Sequence, residues 1–417
     1  MEGNLLQLSY ALDTFYFLMS AVLVMWMAAG FAMLEAGLVR SKNTVEILTK
    51  NALLYSVACT MYLIVGYNFM YPGDPVSAYF PDISFMLGAD HTVDAVVAGG
   101  EGAPYYSAMS DFIFQAVFAA ATMSIVSGAI AERMKLWPFL IFAVVMTAFI
   151  YPMEGYWKWG GGWLDQLGFQ DFAGSVVVHM AGAAAALAAV ILVGPRIGKY
   201  GENGEIRAIP GANLPMATLG MFILWMGWFG FNGGSELMVS NVDEANAVAA
   251  VFVNTNAAAA GGMIAAALLG RAIFGKTDLT MTINGALAGL VSITAEPLAP
   301  TPGLALFIGI VGGLIVVLSV IAIDKMKLDD PVGAISVHGT AGIWGIFAVL
   351  FSNSDATFMG QLIGTVATFA WMFIASFVVL YIIKKTMGLR PSKDQELEGL
   401  DVEECGMEAY PEFANKN

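Results

Sequence analysis

Asp171-FAGSVVV-His179 and Asp330-PVGAISV-His338 are near-duplicate stretches in which a histidine follows an aspartate by eight residues, deep in apolar sequence. The chain has 3 histidines among its 417 residues, and two of them share this setting. An ionisable side chain inside an apolar segment of membrane-spanning length is costly and points to function. For one such histidine the plainer role is a hydrogen bond between helices. A repeated pair favours a shared functional site.

Outward from these two stretches, the sequence reads as an all-α polytopic membrane protein. Hydrophobic residues make up 58% and charged residues 12%, against about half and about a quarter in soluble domains. Stretches near the roughly 20 apolar residues that span hydrocarbon recur at about 12–37, 51–71, 112–131, 136–153, 172–194, 213–235, 246–270, 279–298, 302–323, 333–352 and 358–383. That predicts eleven transmembrane helices. Charge placement tests the count: with eleven spans, every Lys and Arg except Lys158 falls on one side. The positive-inside rule makes that side the cytoplasm, so the N-terminus is predicted outside and the C-terminus inside. The 72–111 loop carries acids, Asp111 among them, and no Lys or Arg, as an external loop should.

The two Asp–His elements open the fifth and tenth spans, so the halves that contain them have opposite orientations. This predicts a 5+5 inverted repeat plus one helix, with both histidines meeting near the bilayer midplane. Residues 1–387 form the predicted membrane domain and 388–417 a polar, acidic cytoplasmic tail. The net charge of −15 reflects outer loops and tail, not a nucleic-acid partner. Residues 1–13 hold Glu2 and Asp13 and no base, so no secretory leader is read there. Cys59 and Cys405 fall in different compartments, which excludes a disulfide framework and a thiol metal site. The 46 glycines recur at small-residue spacings, as in Gly182-AAA-Ala186, that suit close helix packing. No Gly-rich loop is followed by the Lys-Ser/Thr a nucleotide needs. No cofactor and no enzymatic activity are expected.

Several strings resemble the ammonium transporter (Amt/Mep/Rh) family over essentially the whole chain. They are Phe31-AMLEAGLVRSKN, Phe114-QAVFAAATMSIVSGAIAER, Asp171-FAGSVVVH, Gly227-WFGFNGGS, Val253-NTNAAAA, Asp329-DPVGAISVHGTAGIWG and, in the tail, Gly388-LR with Glu398-GLDVEECGMEAY. The first string and the Gly194-PRIGKYG loop resemble the Amt branch more than the Rh glycoproteins.

The resemblance implies a homotrimer in the lipid bilayer of the cell's inner (plasma) membrane, with a pore through each subunit. It also implies an external ammonium-recruiting site at Phe118, Trp159 and Ser235. Trp157, two residues away, competes with Trp159; the following Gly160-GGW favours Trp159. Phe114 and Phe231 match two stacked rings that close the pore, and Phe118 matches the ring at the mouth. His179 and His338 match the lumen histidines. In bacterial relatives a P-II-type signal protein docks on the cytoplasmic face and tail.

Such a pore must offset the dehydration of ammonium, which aromatic faces do at about 0.5–2 kcal/mol per ring. Two imidazoles in contact can each donate or accept a proton. Potassium ion, close to ammonium in size, has no proton to give up. Asp171 is read as a carboxylate that accepts backbone N–H groups and shapes the pore mouth from behind, with Asp330 its repeat counterpart. Two residues depart from the family pattern. Glu35 is expected to pair with a base such as Arg40 or to reach solvent by snorkelling, and Glu236 is expected to be a solvated charge at a helix end. The main expectation is an ammonium transporter that conducts NH3 with or without its proton. Its rivals are an ammonium sensor on the same fold and a neutral-gas channel of the Rh kind.

Overall fold

The computed structural model describes residues 2–100 and 102–412. An apolar helix lies at each of the eleven stretches: α1 (Glu2–Leu38), α2 (Ser41–Met70), α3 (Ala108–Ala129), α4 (Leu136–Gln166), α5 (Ser175–Val193), α6 (Leu214–Gly234), α7 (Val242–Phe274), α8 (Leu279–Ile293), α9 (Pro302–Lys325), α10 (Ile335–Phe351) and α11 (Phe358–Thr386). Nine of these are long and apolar enough to cross a membrane; α8 and α10 are shorter. Among the described residues there is no strand, only the isolated bridges Ser77–Phe80 and Tyr200–Ile206 in loops. Two short tail helices follow, α12 (Lys393–Glu398) and α13 (Leu400–Cys405).

Two helices begin earlier than the apolar pattern suggests, for different reasons. α1 runs back through residues 2–11, where exposed Leu5 and Leu8 alternate with polar residues. α2 begins before its apolar stretch because its charges are neutralised internally: Lys50 and Glu46, both fully buried, pair at 2.7 Å across one turn.

The packing of the first five helices recurs in the next five. Contacts α1–α2, α1–α3, α2–α3, α2–α4 and α3–α5 have counterparts in α6–α7, α6–α8, α7–α8, α7–α9 and α8–α10, while α1 and α6 pack along each other. Small residues permit the closest of these approaches. A Cβ on Gly309 of α9 would lie 2.0 Å from the Ala258 carbonyl oxygen of α7, so only glycine allows the two backbones this close.

Loop contacts sort into two ends of the bundle. At one end Arg196 forks onto Asp329 through two bonds of 2.9 Å and reaches Glu132 at 3.0 Å, while Glu132 also binds Arg40. At the other end the Val239 amide donates to Asp13 at 2.7 Å, Tyr156 to the Ser77 carbonyl at 2.6 Å and Asn353 to Glu296 at 2.7 Å.

Candidate pore and its mouth

Each Asp–His stretch folds into the same local device. Asp171 accepts the amides of Ser175, Val176 and Val177 at 2.8, 2.9 and 2.8 Å. Asp330 accepts those of Gly333 and Ile335 at 3.0 and 2.7 Å. The turn between aspartate and helix needs a left-handed residue, supplied by Gly174 (φ 104°) and Gly333 (φ 79°). Each helix then starts with a π-helical segment, Ser175–Met180 and Ile335–Thr340, which carries the histidine. Such segments are rare and concentrate at functional sites.

The two devices meet. His179 Nδ1 lies 3.1 Å from His338 Nδ1, and the rings are 5.1 Å apart and 22° from parallel. Both side chains are buried, at 1% and 4% exposure, so neither gets its partners from bulk solvent. One Nδ1 must therefore donate while the other accepts. Among the described residues His179 Nε2 has no hydrogen-bond partner. Trp228 and Phe231 flank His179 at 4.9 and 5.2 Å, and Phe31 lies 6.2 Å from His338.

Above the histidines stands an aromatic column. The rings in face-to-face contact are Phe118 and Phe231, 3.9 Å apart at 15°. This corrects the expectation that Phe114 and Phe231 form the stack. Phe114 tilts against Phe118 at 4.7 Å and meets Phe17 edge-on at 5.3 Å. Positions 114 and 118 share one face of α3 a turn apart; the deeper ring stacks on Phe231, while the Phe114 ring packs against Gly234 at the end of α6.

Trp159 meets Phe118 edge-on at 6.1 Å and donates its indole N–H to the Asp171 carbonyl at 3.1 Å. Trp157 points elsewhere: its indole donates to the Tyr79 carbonyl and its ring packs on Trp163 and Trp371. Phe118, Trp159 and Ser235 line one cavity of about 350 Å³. Ser235 donates to the Phe231 carbonyl at 2.8 Å, which leaves its oxygen lone pairs free to accept.

The same cavity holds residues that sequence reasoning passed over: Tyr67, Tyr106, Gln115 and Asp111. Asp111 is buried in the first turn of α3 and accepts the Tyr67 hydroxyl at 2.6 Å. In the sequence it reads as one more solubilising acid of the outer loop. Its signal is the position: it stands three residues before Phe114, on the helix that carries Phe118.

Glu35 and Glu236 both depart from expectation. Glu35 neither pairs with Arg40 nor reaches solvent. It is 1% exposed and accepts from the Ser127 hydroxyl and from the Asn51 amide at 2.9 Å. Arg40 is taken by Glu132. Glu236 is half-buried beside Ser235 rather than solvated, and among the described residues one of its carboxylate oxygens is buried without a partner. Burial first, then the neighbouring Glu244 carboxyl, push its pKa from 4.5 up to about 7.

Comparison with known proteins identifies the family. The Ammonium Transporter Family profile matches residues 15–410. Ammonium transporter Amt2 of Archaeoglobus fulgidus is 40% identical over 431 aligned positions, covering 96% of this chain and 88% of the relative. A solved sensor Amt protein superposes with a TM-score of 0.87 at 35% identity, over 96% of this chain and 99% of its own. Candida albicans Mep2 superposes with a TM-score of 0.80 at 26% identity, over 93% and 88%. Motifs, fold and relatives converge: the chain belongs to the ammonium transporter family.

Proposed function

We propose that the chain takes up ammonium ion at the mouth lined by Phe118, Trp159 and Ser235 and conducts NH3, with or without its proton, past His179 and His338. The observation that carries this reading is the 3.1 Å contact between the two histidine Nδ1 atoms directly beneath the Phe118–Phe231 stack. Aromatic faces and Asp111 offset part of the ion's dehydration in the mouth. Stacked rings exclude a continuous water wire through which protons would leak, with Phe118 and Phe231 as the closing pair and Phe114 behind them. The paired imidazoles accept and donate single protons. Potassium cannot take that route, so the filter works by chemistry rather than diameter.

Eleven spanning helices, N-terminus outside and C-terminus inside, fit this reading. The loops that follow α3, α5 and α9 carry the Arg196–Asp329–Glu132 network at one end, and acidic loops lie at the other. The recurring helix contacts support the 5+5 repeat plus one. By analogy with the family, the chain works as a homotrimer in the cell's inner (plasma) membrane, with residues 388–417 as a cytoplasmic tail and a P-II-type protein as partner.

Currents and uptake in proteoliposomes test the proposal. His179→Ala and His338→Ala should each assemble normally yet lose normal ammonium transport, because one imidazole keeps no partner and an unsatisfied buried polar group costs about 1–3 kcal/mol. Wild-type flux and selectivity in both variants would overturn it. A purely structural hydrogen bond predicts instead that single variants fall apart in detergent.

A second reading, an ammonium sensor, draws support from the superposition on the solved sensor Amt protein. Ammonium binding without any flux in the reconstituted wild type would favour it.

A further inference from the structure

Glu35 lies one turn beyond Phe31 on the same face of α1, and Phe31 packs against His338. A cavity of about 20 Å³ separates Glu35 from His338, walled by Ser124, Gly128, Asn284 and Val332. A water molecule needs only ~10–15 Å³ by this measure, and ammonia is of similar size. Gly128 keeps the space open: a Cβ there would come within 3.5 Å of the Glu35 carboxyl carbon and 2.6 Å of Val332.

Among the described residues the carboxylate has hydrogen bonds but no counter-ion. The Ser127 hydroxyl of α3 lies 2.7 and 2.8 Å from its two oxygens, and the Asn51 amide of α2 donates to one of them at 2.9 Å. Among the described residues no Lys or Arg forms an ion pair with it. Lys50 on α2 is held by Glu46 at 2.7 Å, and Arg40 by Glu132. His338 of α10 faces it across the cavity. A buried carboxyl in this position is stable when it shares a proton or faces a cation, and an acid inside a membrane segment is by default functional.

We propose that Glu35 is the second protonation site of the conduction path, returning to ammonia the proton that ammonium surrenders at the histidine pair. The proposal rests on the transport reading above. Ammonium passes one N–H proton to an imidazole nitrogen and becomes NH3 and imidazolium. The imidazolium passes that proton, directly or through the single molecule in the cavity, to the Glu35 carboxylate. The resulting carboxylic acid protonates NH3 arriving in the cavity, which leaves as ammonium and restores the carboxylate. One ammonium in gives one ammonium out, with one positive charge moved.

The test records ammonium-evoked current and uptake of isotope-labelled ammonium on the same proteoliposomes. Wild type should give both. Glu35→Gln keeps the shape and can still accept from Ser127 and Asn51, but cannot cycle a proton. It should lose current by about tenfold or more, with uptake falling alongside, while the protein still assembles. Glu35→Asp draws the carboxyl back by one methylene but can still cycle a proton, so current and uptake should both fall only severalfold. It also covers the case in which the Gln variant fails to assemble. Wild-type current in either assembled variant would overturn the proposal, as would a wild type that takes up ammonium with no current. A wild type with neither signal defeats the transport reading itself. A role confined to tying α1, α2 and α3 together predicts unaltered current in Glu35→Gln.

Discussion

At the scale of single residues, what the sequence hides is burial. Asp111 and Glu236 read as solvated acids and Glu35 as an acid that pairs with a base or snorkels, yet all three are withdrawn from bulk water. Their neighbours come from other helices, so no local pattern announces them. The histidines, Trp159 and Asp171 are legible because unusual residues stand in repeated or motif-bearing surroundings. Glu236 has a measurable consequence. Its pKa is raised from 4.5 to about 7 by burial and by Glu244, with Glu296 adding to it. The folded chain therefore holds a proton between those values that the unfolded chain has lost, and stability contributed by this group declines as pH rises through that window. The effect on function runs the other way. Above about 7 the carboxyl is ionised beside Ser235, and the mouth attracts cations more strongly. Apparent affinity for ammonium should strengthen when measured one unit above that value rather than one unit below. Glu236→Gln should flatten the dependence, and an undiminished pH response in that variant would assign it to another group.

At the scale of elements, the eight-residue Asp–His spacing is visible in the sequence, but its meaning depends on a feature that is not. The segments that carry the histidines, Ser175–Met180 and Ile335–Thr340, are π-helical, which the spacing alone does not announce. The aspartate fixes where that irregular turn begins. Asp171→Ala would uncover three buried amides, each costing about 1–3 kcal/mol when left unsatisfied. The variant should therefore melt earlier in detergent and lose flux together with stability. Asp171→Asn keeps one acceptor oxygen and should fall between. Direct ion binding by Asp171 predicts another result: weakened apparent affinity at unchanged thermal stability. Thermal unfolding paired with uptake kinetics separates the two, and a fully stable, low-affinity Asp171→Ala would defeat the capping role.

At the scale of the whole molecule, periodicity and charge place the helices, while the docking of the tail is beyond their reach because polar, short segments carry no strong pattern. The tail binds back across the end of the bundle that holds the Arg196 network. Arg390 forks onto Glu396 at 2.7 and 2.8 Å and donates to the Val193 carbonyl at the end of α5. Glu396 also accepts the Ile197 amide at 2.8 Å, just beyond the helix that carries His179. Asp401 accepts the Glu46 amide at 2.8 Å, and Asn43 accepts that of Leu400 at 2.9 Å, so α13 is fixed to the start of α2. Gly399, at φ 124°, permits the chain to press against Lys42 there. One short segment thus ties the ends of α2 and α5, whose far portions flank the pore. Deleting residues 389–417 should leave the membrane domain assembled, lower ammonium uptake severalfold and abolish pulldown of a P-II-type protein. Glu396→Ala, which removes the acceptor shared by Arg390 and Ile197, should reproduce the uptake loss with the chain otherwise intact. If the tail served only to pack neighbouring subunits, the deletion would dissociate the oligomer on size exclusion while Glu396→Ala transported normally. Unchanged uptake together with unchanged partner binding in the deletion would remove the tail from transport altogether.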